Sequence, residues 1–197
     1  MQVREVVLAS NNAGKVKEFQ QLLAGVGFDV LAQSQFNLPS VEETGLSFVE
    51  NAILKARYAA AATGLPALAD DSGIEVDALN GAPGIYSARF AGLNASDADN
   101  NAYLLAQLTA VPEALRTARY QCVLVYMRHA EDSMPLICSA SWEGRILNAP
   151  QGEGGFGYDP LFWLPELACT SAQLSKEHKN KISHRGKAMA ALLAALS

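Results

Sequence analysis

Apolar residues recur with helical spacing in several stretches of the chain. In the segment that ends near Ala24, and again over residues 46–63 and 186–196, they repeat every three or four positions, which is the period of an amphipathic helix. Gly64 and Pro66 follow the second of these segments and terminate it. The pattern predicts these three helices, and a fourth is predicted over residues 97–108.

Shorter apolar runs predict strands, and two glycine-rich loops separate some of them. The early strands alternate with helices, and a long hairpin follows them, which favours an α/β fold with a mixed sheet. No repeat or linker divides the chain, so residues 1–197 are predicted to form a single domain. The predicted strands cover residues 4–10, 28–32, 74–79, 119–128 and 136–147, and the loops cover residues 80–92 and 152–160.

Composition limits the classes of protein that the chain can belong to. Half of the residues are hydrophobic and 18% are charged, which is enough to bury a sizeable core. No apolar run approaches the roughly 20 residues of a membrane span, and the N-terminal run is too short for a signal peptide. We therefore expect a cytoplasmic protein without a membrane partner. The three cysteines form no C-x-x-C pair, which argues against a disulfide framework or a zinc site.

The charge is unevenly distributed. A net charge of −5 argues against general nucleic-acid binding. Five of the fifteen basic residues nevertheless lie between Lys176 and Lys187. Such a segment either binds a small polyanion locally or forms a solvated helix face.

Residues 10–15 join the first predicted strand to the first predicted helix. Free backbone N–H groups and the helix dipole favour an anion at such a helix start. Ser10 or Asn12 could touch a phosphate or simply cap the helix, and Lys15 adds a charged donor. The spacing is not that of a P-loop.

Two neighbouring carboxylates, Asp70 and Asp71, follow a short apolar strand. They could hold a divalent cation or activate a water, or they could be solvated residues of a turn. Glu42 and Glu43, in the loop before the second helix, could supply a further ligand. Because the candidate ligands are oxygens, with no Cys/His cluster, Mg²⁺ is the predicted metal.

The loop at residues 152–160 has four glycines in six positions and an aromatic residue, Phe156, between two of them. It is either a platform on which a flat base stacks or a flexible cover of the core. Ser183 is placed to cap the last helix, where His184 and Arg185 could reach a ligand.

Seven segments together resemble the inosine triphosphate pyrophosphatase family. Its members are also called noncanonical purine NTP pyrophosphatases or dITP/XTP diphosphatases, and the segments resemble the bacterial form. The resemblance covers nearly the whole chain. Its first loop departs from the usual Thr-Gly-Asn-x-x-Lys pattern, because Ser10 and Asn11 replace Thr and Gly. The segments are Ser10-x-Asn12-x-x-Lys15, Glu42-Glu43-Thr44-Gly45, Glu50-Asn51-Ala52, Ala69-Asp70-Asp71-Ser72-Gly73, residues 81–89, residues 154–160 and Ser183-His184-Arg185-Gly186.

The resemblance implies an elongated mixed sheet with flanking helices and two lobes around a central cleft, usually in a homodimer. It implies hydrolysis of dITP, ITP and XTP to the monophosphate and pyrophosphate. Asp71 would be the general base and, with Glu42, a metal ligand, while His184 and Arg185 would read the 6-oxo purine edge. The substrate would be bound by Ser10, Asn11, Asn12, Ala13, Gly14, Lys15, Ser72, Phe156, Gly157, Tyr158, Asp159, Lys179, His184 and Arg185.

Two other functions remain open from the residues. A nucleotide-binding sensor with little catalysis would have no need of a carboxylate that activates water. A pyrophosphatase for modified pyrimidines or methylated nucleotides would share the fold, whereas the Gly-Phe-Gly loop and the Ser183–Arg185 segment favour purines.

Overall fold

The computed structural model describes residues 4–196 and contains a seven-stranded sheet in the order β2-β1-β3-β4-β5-β6-β7. Strand β1 is parallel to β2 and β3, whereas β6 is antiparallel to β5 and β7. The predicted mixed α/β fold is confirmed. The strands are β1 Arg4–Leu8, β2 Phe28–Ala32, β3 Ala67–Val76, β4 Thr117–Met127, β5 Leu136–Ile146, β6 Phe162–Leu164 and β7 Cys169–Thr170.

Capping residues mark the start of α2 and α3 and the end of α2. Ser47 and Ser96 cap α2 and α3, since their side chains accept from Glu50 N and Asp99 N. Gly64 ends α2 in the left-handed conformation, with φ of 70°. The helices are α1 Ala13–Ala24, α2 Phe48–Thr63, α3 Asp97–Gln107, α4 Lys176–Ile182 and α5 His184–Leu196, and 3-10 helices cover Gln33–Phe36, Asp77–Leu79, Gly84–Arg89, Glu113–Leu115 and Ser171–Gln173.

Strand β3 differs from the sequence prediction. We expected residues 70–73 to follow a strand and a new strand to cover residues 74–79, but β3 runs without interruption from Ala67 to Val76, and Asp77–Leu79 is a 3-10 helix. The two aspartates remain inside a buried strand because lysines neutralise them, as described below. The hydrophobic pattern could not show this, because it records no partner for a polar residue.

Helix α4 lies in the basic segment, for which the sequence left open either local binding of a small polyanion or a solvated helix face. Its sequence, KEHKNKI, contains one apolar residue, and a helix without an apolar stripe gives no periodic signal. Ser175 caps it by accepting from His178 N. The basic segment is therefore partly a short helix and partly the start of α5.

The described chain divides into two compact units, the first ending at residue 71 and resuming over residues 123–139 and from residue 188. In this first unit the small side chains of α2, such as Ala52, Ala56 and Ala59, pack on Val7 and Ala67. Small residues allow the helix backbone to approach the sheet closely. No helix within residues 4–196 has both the length and the apolar character needed to cross a bilayer.

The second unit comprises residues 72–122 and 140–187. Its core is built from large side chains, and Tyr120, Trp142 and Phe162 form a cluster of aromatic rings. Tyr158 is buried in the same core, and its hydroxyl donates to Ser87 O over 2.8 Å. The glycine loop is thereby attached to the 3-10 helix Gly84–Arg89.

Candidate active site

Strand β3 holds two buried aspartates, each paired with a lysine from a different helix of the first unit. Asp70 and Asp71 are only 5% and 8% exposed. Lys15 of α1 forms an ion pair with Asp70. Lys55 of α2 donates to Asp71 over 2.6 Å and to Glu43 over 2.9 Å. Burial of an unpaired charge is energetically unfavourable, and these ion pairs offset that cost for both carboxylates.

Burial raises the pKa of Asp71, and the nearby charges of Glu43 and Asp70 raise it further, while Lys55 opposes the shift. Burial lowers the pKa of Lys55, but attraction to Asp71 and Glu43 outweighs it, so the net pKa is raised. The cluster therefore holds a charged lysine next to a carboxylate that takes up a proton more readily than an exposed aspartate.

The loop at residues 10–15 adopts the predicted helix-start geometry. Asn12 caps α1, with its Oδ1 accepting from Lys15 N at 3.1 Å, and Ser10 Oγ accepts from Asn12 N at 3.2 Å. Asn11 donates to Ser40 Oγ over 3.0 Å. No acidic residue lies in the first turn of α1, where the helix dipole is positive.

An open pocket in the first unit combines this loop with the charged cluster. A pocket with two ammonium groups and a helix start in its wall suits a phosphate chain. Its lining residues are Ala9, Ser10, Asn11, Lys15, Gln33, Ser40, Val41, Glu43, Lys55 and Asp70.

The predicted metal ligands occupy different environments. Glu42 is exposed, whereas its neighbour Glu43 shares the Lys55 ammonium with Asp71. Within residues 4–196 no group of three or more His, Cys, Asp or Glu side chains could by itself hold a metal ion. The donor set nevertheless fits Mg²⁺, which proteins often bind through one or two carboxylates together with substrate phosphates.

In the second unit, the glycine loop exposes one aromatic ring. Phe156 is 61% exposed, and two cations lie over its ring, Lys179 Nζ at 4.9 Å from the centroid and the Arg185 guanidinium carbon at 5.9 Å. Cations near a ring face attract its quadrupole and orient it. The sequence left open whether this loop is a platform for base stacking or a cover of the core. The exposed and oriented ring favours the platform.

Two other predicted residues of this loop are buried. Asp159 is 2% exposed, and its carboxylate accepts from Phe156 N at 2.8 Å and from Lys179. Tyr158 is 4% exposed. Lys179, one of the residues that the resemblance assigned to substrate binding, thus lies against the glycine loop.

His184 and Arg185 begin α5, as their position in the sequence predicted. The His184 ring stacks on Tyr120 with centroids 4.7 Å apart and planes 8° apart. Ser183 Oγ accepts from Gly186 N at 3.2 Å, which confirms the predicted cap. A Cβ on Gly186 would overlap Asn180 O, so only glycine allows α5 to start so close to α4.

Helix α3 contacts the glycine loop through two side chains that sequence reasoning missed. Asp97 Oδ2 accepts from Gly157 N at 2.6 Å, and Asn101 Nδ2 donates to Gly157 O over 2.8 Å. Both polar groups of one peptide residue are thereby fixed to the start of α3. No motif predicts these bonds, since they join residues 60 and 56 positions apart.

The structure brings the predicted residues together in two groups, one in each unit. Residues 10–15, Asp70 and Asp71 belong to the first unit, and residues 156–159, Lys179, His184 and Arg185 to the second. Ser72 is the first residue of the second unit and follows Asp71 within β3. Lys55 is the charged residue that sequence reasoning missed, although a lone lysine within an alanine-rich helix was an available signal.

These features define an α/β protein with a lysine–carboxylate pocket in one unit and an exposed ring on a glycine loop in the other. The chain belongs to the Ham1 family, whose sequence model matches residues 6–195. The resemblance inferred from seven segments is thereby confirmed.

Individual relatives match over almost their full length. The chain is 62% identical to a dITP/XTP pyrophosphatase of Photobacterium profundum over 192 residues, which are 98% of each chain. It is 58% identical to a dITP/XTP pyrophosphatase of Vibrio cholerae, covering 98% of this chain and 97% of the relative. The solved structure of a HAM1 protein from Coxiella burnetii superposes with a TM-score of 0.95, at 48% identity and 98% coverage of both chains.

Proposed function

We propose that this protein hydrolyses noncanonical purine nucleoside triphosphates, namely dITP, ITP and XTP, to the monophosphate and pyrophosphate. Full-length relatives that are named dITP/XTP pyrophosphatase support this activity. The observation that carries it is the cluster in which Lys55 binds both Asp71 and Glu43, next to the ion pair of Lys15 with Asp70. This cluster offers both a proton acceptor and cations for a phosphate chain.

The first unit binds the triphosphate in this proposal. A nucleoside triphosphate carries about four negative charges, which an acidic protein can accept only at a locally positive site. Lys15 and Lys55 supply ammonium donors, but Asp70, Asp71 and Glu43 balance their charge, so the net positive charge would come from bound Mg²⁺. The backbone of residues 10–14 at the start of α1 supplies neutral donors. Ser72, the first residue after this unit in β3, adds a hydroxyl.

Asp71 accepts the proton of the attacking water. Its raised pKa suits a base that must hold the proton during attack at the α-phosphorus, with pyrophosphate as the leaving group. We propose Mg²⁺ as the cofactor, held by Asp71 together with Glu42 or Glu43. When bound, it would neutralise phosphate charge and orient the water. Lys55 keeps the two carboxylates in place.

The second unit recognises the base. Phe156 offers an exposed ring for stacking, and Arg185 and His184 donate toward the 6-oxo group of hypoxanthine or xanthine. Adenine carries a 6-amino donor at that position, so its complex would leave donors of the site unpaired. Discrimination against ATP would follow from this polarity.

Three further points belong to the same proposal. We propose that residues 1–197 act as one functional domain, that the enzyme works in the cytoplasm where free nucleotides are found, and that it forms a homodimer like the family it resembles. Nucleic acids and membranes are not partners in this proposal.

The experiment is a panel of nucleoside triphosphates with Mg²⁺, assayed separately for pyrophosphate and orthophosphate. We expect pyrophosphate from dITP, ITP and XTP, little product from ATP, and loss of turnover with retained nucleotide binding in Asp71→Asn. Asp29→Asn, at an exposed position of the same unit, is the matched control. Release of orthophosphate, or near wild-type turnover by Asp71→Asn, would contradict the proposal. Nucleotide binding without turnover would indicate a nucleotide-binding sensor. A preference for pyrimidine nucleotides would indicate a pyrophosphatase for modified pyrimidines.

A further inference from the structure

The carboxylate of Asp159 is almost completely enclosed by protein. Its side chain is 3% exposed, and it lies at the end of the glycine loop. Four groups of the second unit donate to it. They are Phe156 N at 2.8 Å, Ser171 Oγ at 2.9 Å, Tyr120 OH at 3.4 Å and Lys179 Nζ.

These donors use the full hydrogen-bonding capacity of the carboxylate. A carboxylate has about four lone-pair sites, two on each oxygen. Ser171 and Tyr120 donate to Oδ1, whereas Phe156 N and Lys179 donate to Oδ2. A base or sugar could therefore bind Asp159 only by displacing one of these four donors, of which Ser171 and Tyr120 are buried. This argues against the direct polar contact that the resemblance implied.

The same carboxylate fixes the two groups that present the exposed ring. It holds the backbone N–H of Phe156 and the ammonium of Lys179, which lies 4.9 Å from the Phe156 ring centroid. Gly155 has φ of 77°, and a Cβ there would overlap Asp159 Oδ2. The loop is thus wrapped tightly around the carboxylate.

We propose that Asp159 is a positioning residue that sets the place of the Phe156 ring and of Lys179, and does not itself contact the purine. The proposal deepens the proposed function, since it rests on Phe156 being the stacking ring. It separates two roles within one short loop: Phe156 meets the ligand, and Asp159 holds the loop in the shape that presents it.

The principal test is Asp159→Asn, which keeps the shape but removes the charge and one acceptor. We expect the KM for dITP and XTP to rise by about tenfold for both, which corresponds to the loss of one charge-assisted hydrogen bond. The ratio of kcat/KM between dITP and dATP should stay within about threefold of wild type, because a residue that does not contact the base affects both nucleotides alike. A tenfold change in this ratio would correspond to about 1.4 kcal/mol. Hydrogen exchange at the Phe156 amide should become faster.

A direct contact with the base predicts the opposite pattern. The selectivity ratio would then change by about tenfold or more, while exchange at the Phe156 amide stayed at the wild-type rate. That result would overturn the proposal. The activity of the wild-type protein on dITP is the reference. A wild-type protein without this activity would contradict the proposed function, whereas the exchange rate of the Phe156 amide tests the positioning role of Asp159 independently.

Ser171→Ala provides a second test if Asp159→Asn does not fold. Ser171 is 1% exposed and contacts the carboxylate from inside the core, so it cannot act as a base contact. We expect a smaller rise of KM in the same direction, with unchanged selectivity and faster exchange at Phe156. Wild-type KM and wild-type exchange in this variant would also overturn the proposal.

Discussion

The ammonium of Lys55 lies 2.6 Å from the carboxylate of Asp71, although one residue belongs to helix α2 and the other to strand β3. The same ammonium reaches Glu43 at 2.9 Å. One lysine thus restrains two carboxylates and opposes the rise in the pKa of the proposed base that burial causes. Its removal should affect both the geometry and the titration of the site.

Lys55→Gln should lower kcat/KM by about a hundredfold, because a buried ion pair is broken and a charge for the phosphate chain is lost. Lys55 opposes the upward pKa shift of Asp71, so without it that pKa rises further. A base must be deprotonated, and the acidic limb of the activity profile should therefore move to higher pH. Exposed Lys17→Gln serves as the control in a pH–rate series. An acidic limb that does not move would show that Asp71 is not the titrating base.

Phe156→Ala should weaken nucleotide binding by roughly 1–3 kcal/mol, the usual contribution of base stacking. The unfolding midpoint should change little, because the ring is 61% exposed. Isothermal titration with IMP measures the binding term directly. Leu167→Ala, which shortens another exposed apolar side chain of the same unit, should bind normally. Equal affinity in the Phe156 variant and wild type would refute the stacking role.

Asn101→Ala should raise the KM for dITP by about threefold to tenfold, because Gly157 loses one of its two bonds to helix α3. The value of kcat should change less, since the proposed base in β3 is untouched. Steady-state kinetics separate the two parameters. The control is Asn148→Ala, at an exposed position outside the loop. An unchanged KM would mean that α3 does not determine the loop conformation.

Gly186→Ala should destabilise the protein by about 3 kcal/mol, because the added methyl group collides with the backbone oxygen of Asn180. Gly25→Ala is a suitable comparison, since its Cβ would lie 3.7 Å from the nearest atom, Leu22 O. Gly25 also has a helical conformation that alanine adopts easily. Urea unfolding should show a large loss for the first variant and little or none for the second. Similar midpoints would mean that the start of α5 can shift without cost.

Asp77 should contribute stability at neutral pH that disappears in acid. Hydrogen bonds from Arg119 and Thr117 lower the pKa of Asp77 below its ordinary value of 3.8. A lowered folded-state pKa gives stability that is present above pH 3.8 and is lost as the pH falls through the folded-state value. The unfolding midpoints of wild type and Asp77→Asn should therefore differ at pH 7 and converge towards pH 2. A difference that persists in acid would show that the variant acts through packing.

Local signals predicted most of the fold. These signals depend only on neighbouring positions, and they agree with the structure. They are the caps at Asn12 and Ser183, the end of α2 at Gly64 and the period of the apolar residues. The continuous β3 could not be predicted in the same way. It depends on Lys55 reaching Asp71 from a different element, and a single sequence contains no record of such a pairing.

The candidate site shows the same division. Residue types and their order indicated residues 10–15, the Asp70–Asp71 pair and Phe156 as candidates, but not Lys55. The enclosed state of Asp159 depends on Tyr120, which lies 39 positions earlier, and on Ser171 and Lys179, which lie 12 and 20 positions later. Sequence can propose that such an aspartate matters, but only the structure distinguishes a residue that meets a ligand from one that supports its neighbour.

The division of the chain into interleaved units limits how the protein can be re-engineered. The second unit consists of residues 72–122 and 140–187, separated by a return of the chain to the first unit. A chimaera that takes its base-recognition loop and surrounding core from a relative therefore requires two separate inserts and four junctions. Three of those junctions fall within β3, β4 and β5, so donor and recipient must share strand register for the exchange to fold.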